Sequence, residues 1–108
     1  MNIARFACAV LALAAATPVL AGPRLTDSQF IQASRCQALA KASSLGSSNA
    51  AAFGVLIKAQ RQGRADHIID KASEAMSTAS GQARRADEAA KAGLIAERDG
   101  SCQALLAR

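Results

Sequence analysis

The sequence predicts an all-α fold: a small up-and-down bundle of three to four helices, stapled by one disulfide and preceded by a cleaved signal peptide. Three observations lead there. Alanine is abundant and the 108 residues hold only two prolines, so the chain is rich in the best helix former and nearly free of the strongest breaker. Past residue 25 the apolar residues recur at helical rather than alternating spacing. Gly46, Gly63, Gly81 and Gly100 lie 17, 18 and 19 residues apart, about one helix each, which suits helices joined by short turns.

Residues 1–21 read as a secretory leader. Met1 to Arg5 is a short basic start, Phe6 to Ala16 an unbroken apolar run, Pro18 a helix breaker, and Val19-Leu20-Ala21 a small-residue cleavage site. As a membrane anchor the run is short against the roughly 20 apolar residues a bilayer needs. Cys8 sits too close to the start to serve as a lipidation site. The domain organisation that follows is a leader at 1–21, a linker at 22–25 and a helical domain at 26–108. The protein is then expected in the periplasm or secreted, and its composition fits a GC-rich bacterial source.

The first helix has a legible start. Thr26 and Gln29 form a capping box, and Leu25 and Phe30 are spaced for a hydrophobic staple. This helix is expected to reach Leu45 and stop at Gly46 in a left-handed cap. A second begins near Ser48 as N-cap, gathers Ala52, Phe53, Leu56, Ile57 and Ala59 on one side, and stops at Gly63. A third, from Asp66 to about Ser80, carries the stripe Ala65, Ile68, Ile69, Ala72, Ala75, Met76 and Ala79, with Gly81 ending or kinking it. A fourth, Gln82 to Arg98, presents Ala83, Ala86, Ala90 and Leu94. After a turn at Asp99-Gly100, Ser101 caps a last short helix with Cys102, Leu105 and Leu106.

Large apolar residues are few, and a chain this small is marginal without help. Cleavage removes Cys8 and leaves Cys36 and Cys102 in a compartment where thiols pair. Their bridge would close a loop of 67 residues, counted from 36 through 102, for about 4 kcal/mol in the loop-entropy model. The tetrapeptide Cys-Gln-Ala-Leu occurs at both cysteines, an echo too short to mark a repeat.

Chemistry is sparse. The cysteines are too far apart for a redox motif, and a metal site lacks a ligand cluster, since His67 is the only histidine. His67 falls on the polar side of the third helix with Asp70, Lys71 and Glu74, without a nucleophile to serve as its base partner. No cofactor motif is present, and an enzyme is not expected. Without the leader, loss of Arg5 takes 13 basic residues to 12 against eight acidic ones, for a net charge of +4. Lys58, Arg61 and Arg64 close the second helix, where positive charge suits the dipole. Arg84 and Arg85 open the fourth, where it does not. If these five converge they form an anionic-ligand patch. Nucleic acid is not an expected partner, because nothing aromatic is placed to stack on bases.

The function expected is binding to another envelope protein, or a structural accessory role there, without stable membrane insertion once the leader is gone. Two alternatives remain: a binder of anionic envelope surfaces, and a periplasmic stress holdase. In size, export and one long-loop disulfide the chain is similar to periplasmic acid-stress chaperones, a likeness of format that no motif carries.

Overall fold

The computed structural model describes residues 24–46 and 48–108, so the leader and its cleavage site lie outside the described residues. Those residues form an all-helical bundle: α1 (Asp27–Lys41), a 3-10 turn (Ser43–Leu45), α2 (Ala50–Gln60), α3 (Asp66–Arg85), α4 (Glu88–Asp99) and α5 (Ser101–Leu106). Cys36 and Cys102 are joined, with their Cα atoms 5.6 Å apart.

α1 starts as its sequence dictates. The Thr26 hydroxyl accepts from the Gln29 N–H at 3.1 Å, and the Gln29 carboxamide oxygen accepts from the Thr26 N–H at 3.0 Å, so two of the helix's orphan donors are satisfied. The Leu25–Phe30 staple is replaced by something else. Both side chains are buried, but they belong to separate apolar clusters, because the Leu25 N–H is drawn to the Gln60 carboxamide oxygen at 3.0 Å. Leu25, at the end of the stretch read as linker, is thus part of the core.

α1 is the hub, and α2, α3, α4 and α5 all pack on it. Hydrogen bonds fix the directions. Arg64, just before α3, bonds to Leu25 and Asp27 at the start of α1, while Ser44, past its end, donates to the Ala83 carbonyl in the last turns of α3. α1 and α3 therefore run the same way, side by side. α2 runs against them, since Gln60 at its end meets Leu25. The main core holds Leu39, Cys36, Phe53, Leu45, Ala79, Ala83, Cys102 and Leu105; Phe30, Ile68 and Ala72 form a second cluster.

Several boundaries differ from the sequence expectation, each for a tertiary reason. α1 stops at Lys41 rather than Leu45. Ala42 is extended and Gly46, at φ 81° and ψ 154°, lies outside the left-handed helical region. The turn is held instead by the Ser44–Ala83 bond and by Arg98, whose Nη1 donates to the Leu45 and Gly46 carbonyls at 2.6 and 2.9 Å. α2 begins at Ala50, and Ser48 does not cap it. Asn49 occupies the cap position without a side-chain cap bond, and its NH₂ group donates to the Gln103 carboxamide oxygen of α5 at 3.4 Å. Of the expected inner side of α2, Phe53 is buried and Leu56 and Ile57 are half-buried, but Ala52 and Ala59 face solvent.

Gly81 does not end α3, which runs through it to Arg85. A single helical glycine costs only about 1 kcal/mol, and buried Ala79 and Ala83 on either side of it hold the helix against α1. The break falls at Ala86, which is extended, and the Asp87 carboxylate caps α4 by accepting from the Ala90 N–H at 2.8 Å. The expected helix from Gln82 is thus split, its first residues belonging to α3. In the α3 stripe Ile68, Ala72 and Ala79 are buried, whereas Ala65 is exposed. Ser101 does not cap α5; it lies inside the helix and donates to the Glu97 carbonyl at 3.4 Å.

Candidate functional site

Three arginines hold helices together, and they must be set aside before any site is sought. Arg64 is 3% exposed at its side chain. Its guanidinium lies 4.8 Å from the centre of the Phe30 ring, meets Asp27 at 2.7 Å, and donates to the Leu25 and Gln60 carbonyls at 2.7 and 2.9 Å. Arg98 clamps the 3-10 turn, as described. Arg35 forms a two-bond pair with Glu97, at 2.6 and 3.0 Å, that ties α4 to α1. The Arg35 hydrogen bonds hold the Glu97 carboxyl below its usual range, against a smaller opposing push from burial, and the same bonds raise the Arg35 guanidinium. Sequence reading missed Arg35, Glu97, Arg98 and buried Gln60. The available signal was polar residues interrupting apolar helical faces.

The five cations expected to converge do not. Lys58 and Arg61 are exposed at the end of α2, and Arg64 is consumed by the core contacts above. Arg84 and Arg85 sit in the last turn of α3 rather than the first turn of α4, so their charge is at the favourable end of the helix dipole. The 20 residues of α3 span about 30 Å, which puts the two groups at opposite ends of the molecule. His67 is exposed in the first turn of α3, as are Asp70 and Glu74 farther along. Among the described residues no three His, Cys, Asp or Glu side chains gather as a metal site.

Arg84 and Arg85 instead face separate clefts. Arg84 shares one of about 240 Å³ with Lys41 and the hydroxyls of Ser43, Ser44 and Ser80. Both cations there stand at helix C-termini, whose carbonyl ends already answer their charge. Arg85 borders a larger cleft of about 460 Å³, between the end of α3 and the first half of α4, lined also by Gln82 of α3 and Arg35 of α1. It exists because α4 packs on α1 and the 3-10 turn rather than along α3.

The remaining feature is the outer face of α2. Its 11 residues include a single charged one, Lys58, and bury only Phe53 and Gln60. Ala51, Ala52, Val55 and Ala59 are exposed, and Val55, at 69%, is the exposed large apolar side chain of the described residues. Apolar residues thus lie on both sides of the helix, one side in the core and the other in water with Lys58 among them. No described helix is long and apolar enough to cross a membrane. Comparison with protein-family models, curated proteins and solved structures finds no match.

Proposed function

We propose that this is a small exported helical protein of the periplasm or extracellular space that binds another envelope protein through the outer face of α2, without catalysis. One observation carries the reading: α2 buries Phe53 on one side and on the other exposes Val55 with Ala51, Ala52 and Ala59, apolar surface that a second neighbour would cover. Lys58 and Arg61 at its end, with no acid in α2, favour a partner surface that is apolar with an acidic rim. The leader-like residues 1–21 and the Cys36–Cys102 bridge support export.

Replacing Val55 with lysine tests it. The variant is expected to fold as the parent does and to lose a partner that the parent retains from envelope extract. Equal retention by both proteins contradicts the reading, and so does salt-sensitive binding of the parent to anionic vesicles alone, which would assign the face to a lipid surface.

The holdase reading has an observation of its own. Arg35–Glu97 joins α1 to α4, and acid strong enough to protonate Glu97, whose carboxyl Arg35 holds below its ordinary range, would release it. A holdase would then lose tertiary structure, keep its helices and suppress client aggregation. Cooperative unfolding that persists unchanged to about pH 2 counts against it.

A further inference from the structure

We propose that the cleft between the end of α3 and the first half of α4 binds a carboxylate carried on a short aliphatic body. At about 460 Å³ it falls within the range of small-ligand sites, roughly 300–1,000 Å³. Its walls divide by chemistry. Ala86, Ala90 and Leu94 give an apolar side, while Arg85 and Gln82 give a polar one. Arg35, the remaining cation, is neutralised by Glu97 and donates its Nη1 to the Gln82 carboxamide oxygen at 2.8 Å. That bond orients Gln82 so that its NH₂ group stays available as a donor. The Arg85 guanidinium has no hydrogen-bond or ion-pair partner among the described residues, so the cleft wall presents one cation without a direct partner beside a neutral donor. A planar guanidinium with an amide donor matches a carboxylate.

Two glycines add an independent observation. Gly93 lies in the middle of α4, lines the cleft, and would place a Cβ in open space. Alanine would favour the helix more and would clash with nothing, so packing gives no reason for glycine there. The absence of a side chain keeps the cleft open. Gly81 lies one turn before the end of α3, and a Cβ there would come within 3.0 Å of the Arg85 Nη2. Glycine at 81 leaves room for that guanidinium to fold back over α3.

The carboxylate could be a free aliphatic acid or the C-terminus of a peptide. Titration of the oxidised, isotopically labelled protein separates these, with hexanoate, hexanamide, Ala-Leu-Ala and its C-terminal amide as probes. Hexanoate, the free peptide or both should shift the Arg85 side-chain, Gly93 and Leu94 resonances, and which acid does so identifies the source. The two amides should leave them in place. Arg85→Gln should weaken the effective probe about tenfold, the scale of one charge-assisted hydrogen bond. Gly93→Ala should raise the melting temperature yet weaken the same probe, an opposition that a misfolded variant cannot produce. Silence from both acids, equal shifts from an acid and its amide, or undiminished binding by Arg85→Gln would overturn the proposal. None of these variants touches the outer face of α2, so this proposal and the partner reading can fail separately.

Discussion

α2 and α3 are both helices laid against α1, yet they use their apolar residues in opposite ways. α3 has a single stripe, in which Ile68, Ala72 and Ala79 are buried, and its other sides carry Asp70, Lys71, Glu74 and Gln82. α2 places Phe53 in the core but leaves Ala51, Ala52, Val55 and Ala59 in water. The apolar stripe of α3 is buried within this chain. The α2 pattern retains apolar surface that folding does not use. Stability accounts for the first pattern; the second is the one the proposed partner would complete.

The largest effect expected from breaking this arrangement comes from the disulfide, which fixes α5 to α1 and so covers the end of the core behind Phe53. Replacing Cys36 and Cys102 with alanine should lower unfolding stability by about 4 kcal/mol, measured by denaturant melts. A loss far below that would mean that packing alone holds α5. Next comes the tie at the shared start of α1 and α3. Arg64→Met keeps the aliphatic stem over Phe30 but strips the donors from the Leu25 and Gln60 carbonyls, for an expected loss of about 2–3 kcal/mol in the same melts.

The Arg35–Glu97 pair is a smaller matter because solvent reaches it. Glu97→Gln should cost about 1 kcal/mol at neutral pH after allowance for screening. Its pH dependence sharpens the point. Arg35 holds the folded-state carboxyl below the ordinary 4.5, so the pair's contribution is in full force above that value and fades as pH falls through the lowered one. The parent should therefore lose more stability than the glutamine variant on acidification below about pH 4. Parallel decline of the two would place acid sensitivity elsewhere.

The sequence made legible what depends on local chemistry. The Thr26–Gln29 box, the α3 stripe and the Cys36–Cys102 pairing follow from capping, periodicity and compartment. Even the repeated Cys-Gln-Ala-Leu has a physical sense, since each copy buries its cysteine and its leucine in the main core. What was not legible depended on long-range polar bonds. Arg98 decides how α1 ends from more than 50 residues away, at Leu45 and Gly46. Asn49, at the α2 cap position, donates its NH₂ group to Gln103. Gly81 resembles a stop until the buried alanines beside it are placed on α1. The candidate site suffered for the same reason. The five cations were grouped by charge along the chain, but a continuous α3 separates them, and the helix boundary at Ala86 reverses the dipole sense of Arg84 and Arg85.

The smallest expected change in stability is also the most decisive for the account. Val55→Lys, on the exposed face of α2, should shift unfolding stability by no more than about 0.5 kcal/mol. The matching functional measurement is site-specific photo-crosslinking in intact cells from position 55, with exposed Glu74 on the polar side of α3 as the control position. The account predicts one discrete adduct to an envelope protein from position 55 and none from position 74. No adduct from 55, or the same adducts from both positions, would contradict the claim that the outer face of α2 is built for a partner.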